Sequence, residues 1–173
     1  MARSKINLQE YQQGILSRFR RLAEGEQAVS SSKLGFRSGG TNWLVALDSV
    51  SEVLPVPAIV PVPLTQPWFL GMANMRGNLC AVTDLAAFSG LAPTAITAES
   101  RILLAHHRYG SNAGLLVDGL IGLRSLDDMT PQDSMSTASP WEVARYLGAD
   151  GQPWAELDLG ILLGLDTFIQ IAA

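Results

Sequence analysis

Residues Trp68 to Gly90 read WFLGMANMRGNLCAVTDLAAFSG, a largely apolar stretch that contains Arg76-Gly77 and Asp84. Two apolar segments flank the Arg76-Gly77 pair, which predicts two strands joined by a tight turn. Gly77 supplies the backbone freedom that such a turn requires. Asp84 follows the second strand, so we expect its carboxylate to cap the N–H groups of a short helical turn that comes next.

The same pattern occurs a second time further along the chain. Two pairs of segments match, 45–50 (VALDSV) with 115–120 (LLVDGL) and 84–91 (DLAAFSGL) with 158–165 (DLGILLGL). The aspartates in these segments are 36 residues apart in the first half and 40 residues apart in the second. A repeat of this kind predicts two tandem, related β subdomains, with Asp158 capping a turn as Asp84 does.

The segments before and between these matches also favour strands. LGF at 34–36, Gly39-Gly40 and WLVAL at 43–47 together predict a hairpin. Five of the nine prolines lie in residues 55–67. Because proline cannot donate a hydrogen bond to a β ladder, this region is predicted to be an edge strand or an extended connector.

Helical patterns are confined to the two ends of the chain. Residues 7–24 place Leu8, Tyr11, Ile15, Phe19 and Leu22 at helical spacing. This predicts an amphipathic helix, followed by a serine linker at 30–32. The helix either packs on its own domain or, given the basic cluster at 18–21, binds a membrane surface or a partner. Near the C-terminus, S-P-W-E at 139–142 predicts a helix start, and Asp150-Gly151 predicts a hairpin turn.

Composition limits the classes of function. A net charge of −4 over 173 residues argues against an extended nucleic-acid interface. Cys80 is the only cysteine, so no internal disulfide can form and a reducing compartment fits. The N-terminus lacks the apolar region of a signal peptide, and no apolar run is long enough to span a membrane. We therefore expect a cytoplasmic protein without direct membrane insertion.

Catalytic motifs are missing from the sequence. It has no phosphate loop, zinc-protease motif, nucleophile elbow or pair of cysteines. His106 and His107 follow a predicted strand, so their rings should point to opposite faces and not share a metal. Asp127, Asp128 and Asp133 lack the spacing of a calcium loop. These patterns predict a binding protein without enzymatic activity, cofactor or metal. The alternative is a β barrel that binds nucleic acid or a small ligand.

The opening stretch also carries a family resemblance. G-x-x-N-x-R-G at 71–77, followed by V-x-D-L at 82–85, resembles the signature of the CheW-like chemosensory coupling proteins. V-x-E-V at 50–53, the proline-rich approach and GLLVD at 114–118 agree with that family in order and spacing. The resemblance covers roughly residues 34–165. It is strongest to the PilI branch, which serves type IV pilus twitching motility.

This resemblance implies a fold and a set of partners. It implies two SH3-like five-stranded β barrels packed together, within a domain at 33–173 that follows a helical extension at 1–32. The first subdomain would span about 33–91 and the second about 99–165. It also implies an adaptor that joins the cytoplasmic tip of a methyl-accepting chemoreceptor to the regulatory domain of a CheA-type histidine kinase, in receptor arrays at the inner membrane.

The resemblance further implies which residues contact these partners. Glu52 and Arg76 match an acid and a base that pair near the receptor-facing groove. Val50 matches a groove position that accepts apolar side chains from the receptor, and Val53 belongs to the same motif. Gly71 matches a position in contact with the kinase or receptor. Each residue also has a structural interpretation: a bracing ion pair, core packing, or a tight strand crossing.

Overall fold

The computed structural model describes residues 31–133 and 139–173, which form a mainly β structure. The strands within these residues are β1 Ser32–Ser38, β2 Thr41–Ala46, β3 Val50–Pro55, β4 Ile59–Val60, β5 Phe69–Met75, β6 Asn78–Asp84, β7 Arg101–Ala105, β8 Ala113–Val117, β9 Gly119–Ser125, β10 Met129–Gln132, β11 Glu142–Gly148 and β12 Pro153–Leu157. The α-helices are α1 Leu85–Phe88, α2 Leu159–Gly164 and α3 Asp166–Ile169. Short 3₁₀ turns occupy Leu47–Ser49, His107–Tyr109 and Leu126–Asp128. The predicted helix at 7–24 lies outside the described residues.

The strands form two sheets, as the fold prediction requires. Sheet A has the order β10-β11-β12-β2-β1-β9, and sheet B has the order β3-β7-β8-β6-β5-β4. Each sheet holds six strands, where five were expected, because the short edge strands β4 and β10 also pair. Ile59 and Val60 of β4 lie between prolines, in agreement with an edge strand in the proline-rich region.

The tandem repeat predicted from the sequence is present in the strand order. When β1–β6 are matched with β7–β12, the order of sheet A becomes that of sheet B read in reverse. The register agrees as well. Thr83 of β6 pairs with Leu115 of β8, and the matched residues Leu157 of β12 and Val45 of β2 also pair, both in parallel ladders. The alignment made from sequence is therefore the structural alignment.

The two repeats exchange their first two strands. β1 and β2 join β9–β12 in sheet A, while β7 and β8 join β3–β6 in sheet B. Each sheet therefore takes strands from both repeats. The parallel pairs β12–β2 and β6–β8 make the joins. Neither sheet can be completed by one repeat, so the two repeats fold as a unit.

The capping prediction is confirmed for both aspartates. Asp84 accepts hydrogen bonds from the backbone N–H groups of Ala86 and Ala87 at the start of α1. Asp158 accepts a hydrogen bond from the N–H of Ile161 at the start of α2. These side chains satisfy N–H groups that have no partner inside a helix, and so fix where each strand becomes a helix.

Two predicted turns are confirmed and one predicted helix is wrong. Gly39-Gly40 joins β1 to β2, and Gly151 lies in the turn between β11 and β12, all three with positive φ. Residues 139–142, in contrast, form a turn that leads into β11, and the Glu142 N–H donates to the Ser139 carbonyl. Trp141 is buried against Phe88 in the core. Burial of this indole outweighs the local capping pattern.

The main core lies between the two sheets, and a smaller one lies inside sheet B. The small core consists of Ala73, Met75, Cys80, Val82, Ile102 and Leu116. Cys80 is a buried free thiol, and burial raises its pKa, which disfavours the reactive thiolate. Cys80 is therefore a core residue and not a reactive thiol.

Three of the six matching positions in sheet A are polar. Lys33, Tyr146 and Glu156 occupy the positions that Ile102, Ala73 and Val82 hold in sheet B. Glu156 binds Lys33 at 2.8 Å and accepts a hydrogen bond from the Tyr146 hydroxyl at 2.8 Å. The repeat does not reveal this difference. It was recognised from residues 45–50, 84–91, 115–120 and 158–165, and none of the three polar residues lies in these segments.

Tyr146 should make the stability of the protein sensitive to alkaline pH. Burial and the hydrogen bond to Glu156 raise its pKa from 10.0 to about 12. Between these values the unfolded chain loses the phenol proton and the folded chain keeps it, so the free energy of unfolding falls as pH rises. Tyr146→Phe should lack this component in urea unfolding measured from pH 9 to 12. Tyr11→Phe should retain it, and an unchanged pH profile in Tyr146→Phe would contradict the assignment.

The C-terminal segment packs on the proline-rich connector. The Gln66 N–H donates to the Ile171 carbonyl at 2.8 Å, and the Ala173 N–H donates to the Leu64 carbonyl at 3.0 Å. An aromatic cluster of Trp68, Phe88, Trp141 and Phe168 lies beside this contact. The connector is therefore held by partners about 100 residues away in the chain, which is why sequence reasoning did not detect the cluster.

Candidate functional site

Edge strand β3 carries three of the expected contact residues. Its partners on β7 are Ala105 for Val50, Leu104 for Glu52 and Leu103 for Val53, with a bulge between Val50 and Glu52. Because of this bulge, Val50 and Val53 both face the main core although they are three residues apart. Both valines are half-buried, so they form a rim where the core reaches solvent.

A hydrogen-bond network fixes the start of β3. Arg108 binds the Asp48 carboxylate at 2.7 Å and donates to the Ser49 hydroxyl and the Tyr109 hydroxyl. The Tyr109 hydroxyl donates to the Ser49 hydroxyl at 2.9 Å. The hydrogen bond from Arg108 holds the pKa of Asp48 below its usual value. The network joins the turn before β3 to the turn after β7, and so positions Val50.

Arg76 and Gly77 form the turn between β5 and β6, as predicted. Their φ angles are 53° and 88°, which is the left-handed pair of a two-residue hairpin turn. The Asn74 side-chain oxygen accepts a hydrogen bond from the Gly77 N–H at 2.8 Å. This turn projects the Arg76 side chain outward from the end of the hairpin.

The structure brings Arg76 and Glu52 together in an ion pair. Glu52 lies on β3 and Arg76 lies in the turn between β5 and β6, so the pair joins parts of sheet B that β7 and β8 separate in the strand order. The Arg76 side chain is 72% exposed and that of Glu52 is 28% exposed. An ion pair this open to solvent contributes about 0–1 kcal/mol to stability. Most of the guanidinium surface therefore remains accessible to a partner.

Gly71 lies apart from this pair, beneath β4. Its φ is 130°, and a Cβ atom built on it would lie 2.1 Å from the Val60 carbonyl oxygen. Gly71 is buried, and the close approach of the two strands by itself requires glycine. A direct contact between Gly71 and a partner stays a prediction.

An apolar strip on the outer face of sheet B was missed by the sequence reasoning. We define the outer strip as Val60, Met72, Leu79 and Ala81, which lie on the opposite face of β4, β5 and β6 from the small core. Val60 is 66% exposed and Leu79 is 62% exposed. Leu79 lies on the same hairpin as Arg76. Exposed apolar residues beside charged ones are typical of protein interfaces.

The two histidines lie directly after strand β7, as predicted, but their rings do not point to opposite faces of a strand. Strand β7 ends at Ala105, so His106 and His107 lie in a turn and their ring centroids are 4.0 Å apart. The His106 Nδ1 accepts a hydrogen bond from the Arg108 N–H. Across residues 31–133 and 139–173, no group of three or more His, Cys, Asp or Glu side chains is placed to hold a metal ion. Nor do the helices in this part of the chain include one long and apolar enough to cross a membrane.

Comparisons with known proteins agree on one family. The CheW-like domain profile matches residues 33–165. Protein PilI of Pseudomonas aeruginosa is 35% identical over 169 residues, which is 91% of this chain and 92% of that protein. The probable chemotaxis protein CheW of Rhizobium etli is 30% identical over 109 residues, covering 63% of this chain and 70% of that protein. The scaffolding protein TtCheW of Thermoanaerobacter tengcongensis matches in structure with a TM-score of 0.66 at 21% identity, covering 80% of this chain and 95% of that one.

Proposed function

The chain belongs to the CheW-like domain family, and from this premise we propose that it couples chemoreceptors to a CheA-type histidine kinase. It is a scaffold without enzymatic activity, as members of this family are. Similarity to PilI over nine-tenths of both chains supports a chemosensory role in type IV pilus twitching motility. The expected location is the cytoplasm, in receptor arrays at the inner membrane.

The observation that carries this proposal is the Glu52–Arg76 pair at the rim of sheet B. Glu52 lies between the half-buried Val50 and Val53 on β3, and Arg76 lies on the same hairpin as Leu79 of the outer strip. Apolar contacts supply binding energy, and a charge pair beside them sets orientation and selectivity.

We assign a different partner to each of the two surfaces. The Val50 and Val53 rim would receive the apolar face of a helix from the receptor tip, a common mode of helix recognition. The outer strip would pack against the regulatory domain of the kinase. Gly71 would support the second contact indirectly, by allowing β4 to lie close to β5 and so placing Val60 in the strip.

Pull-down of purified kinase regulatory domain and receptor tip by the full chain tests the adaptor role. Binding of both, together with loss of twitching when the gene is deleted, is the expected result. Failure to bind either one would overturn the proposal. Binding to single-stranded nucleic acid would favour the alternative barrel function. The acidic charge of the chain argues against that outcome.

Arg76→Ala should separate the binding role of the ion pair from its bracing role. Because the pair is exposed, the variant should lose no more than about 1 kcal/mol of unfolding free energy. Loss of a charged contact in a protein interface costs about 2 kcal/mol or more, so partner affinity should fall by roughly thirtyfold. Titration calorimetry and urea unfolding measure the two quantities.

Arg37→Ala is the matched control, since Arg37 is an exposed arginine on a strand of sheet A. It should bind both partners as the unaltered protein does. Equal affinity in Arg76→Ala and Arg37→Ala would assign Arg76 a bracing role only.

A further inference from the structure

Sheet A has a second rim that corresponds by the repeat to the Val50 and Val53 rim. The matched residues are Leu120 and Leu123 on edge strand β9. They pair with Phe36 and Leu34 of β1, and a bulge brings both leucines to the main-core face. Leu120 is 44% exposed and Leu123 is 63% exposed, whereas the two valines are half-buried. The second rim is therefore the more open of the two.

The matched segments at the ends of α1 and α2 also differ. Leu163, in the last turn of α2, and Leu165, directly after it, pack against the main core. The matched residues after α1 are Ser89 and Leu91, so one apolar side chain is missing and the other is exposed. Leu91 lies against Gly39, which is in the turn between β1 and β2. This turn is close to the start of β9, because Arg37 pairs with Gly119. We define the open rim as Leu91, Leu120 and Leu123.

The first described residues of the chain, Ser31 and Ser32, lie near the end of β9 that carries Leu123. Ser32, the first residue of β1, pairs with Ser125 at the end of β9. The Ser31 hydroxyl donates to the Asp127 carboxylate at 3.1 Å. Residues 25–31 could span up to about 24 Å when extended. Residues 7–24 would measure about 27 Å as a helix, close to the roughly 23 Å length of β9.

We propose that residues 7–24 form an amphipathic helix that folds back and covers the open rim. The apolar side chains predicted for this helix, from Leu8 to Leu22, match the leucines of the rim. The arginines at 18–21 would lie near the acidic turn at Asp127 and Asp128, which favours docking by charge. We call residues 7–24 the leader. On sheet A it would occupy the position that corresponds to the Val50 and Val53 rim of sheet B. The contact is intramolecular and does not depend on which partner binds sheet B.

Thiol labelling in the full chain tests this contact. Leu123→Cys places a reactive thiol on the rim, while the native Cys80 is buried and reacts slowly. Adding Ile15→Glu and Phe19→Glu puts charges on the apolar face of the leader. Release of a helix docked in about nine-tenths of molecules would raise the maleimide reaction rate about tenfold. Circular dichroism checks that the β fold is unchanged.

Two controls isolate the effect of docking. Gln13→Glu with Ser17→Glu adds the same charge on the opposite helix face, and should leave the Leu123→Cys rate unchanged. A thiol at Leu79→Cys on the outer strip should react at the same rate whether the leader is unaltered or carries either pair of glutamates. Equal rates for Leu123→Cys with both charged leaders would overturn the proposal. Protection that appears only as protein concentration rises would also overturn it, since a second copy would then cover the rim.

Discussion

Gly71→Ala is expected to lower the free energy of unfolding by about 3 kcal/mol or more. Gly71 has a φ of 130°, which side chains rarely adopt, and its Cβ would lie 2.1 Å from the Val60 carbonyl oxygen and 2.8 Å from the Pro61 Cα. Both of these atoms are backbone, so no side-chain rotation can relieve the contact. The variant must displace β4, and the outer strip would lose Val60 with it.

Gly77→Ala is the control for this substitution. Gly77 also has a positive φ, of 88°, but a Cβ atom there would meet nothing within 4 Å. Its expected loss is about 1 kcal/mol, from backbone strain alone. Urea unfolding of the two variants measures the difference. If both lost the same free energy, the close approach of β4 would not be what requires glycine at 71.

Asp84→Ala is expected to lower the free energy of unfolding by about 3 kcal/mol. Asp84 is 1% exposed and accepts four hydrogen bonds. Two come from the Ala86 and Ala87 N–H groups, at 3.0 and 3.3 Å. The other two come from the Thr94 N–H and hydroxyl, at 2.7 and 2.9 Å. Alanine would leave these donors without a partner at a buried site. It would also release the segment between α1 and β7, which carries Thr94.

Asp158→Ala provides the comparison, because Asp158 matches Asp84 in the repeat. It is half-buried and accepts one side-chain hydrogen bond, from the Ile161 N–H at 2.9 Å. Loss of a cap of this kind costs about 1 kcal/mol. Thermal and urea unfolding should therefore rank Asp84→Ala well below Asp158→Ala in stability. Similar losses in the two variants would show that capping, and not the contact with Thr94, dominates.

Features with local causes were predicted correctly. The turns at Gly39-Gly40, Arg76-Gly77 and Asp150-Gly151 follow from backbone geometry that few residues adopt. The aspartate caps follow from the unpaired N–H groups of a helix start. The Glu52–Arg76 pair came from the family resemblance, and the structure adds that it joins edge strand β3 to the β5–β6 turn.

Features that depend on distant segments were missed. S-P-W-E at 139–142 has the pattern of a helix start, but Trp141 packs against Phe88, more than 50 residues away. The outer strip was missed because Val60 and Leu79 come from separate strands that meet only across β5. Local patterns cannot reveal contacts of this kind.

The family, the mainly β class, the repeat and the positions of the caps and turns were predicted from sequence, because each is recognised from short local patterns and their order along the chain. Only the tertiary structure decided that the repeats exchange strands, that sheet A has a polar interior, and that matched positions such as Asp84 and Asp158 differ in burial. The physical reason is that pairing and burial join residues far apart in the chain. Two segments with the same local pattern therefore acquire different neighbours, and with them different energies.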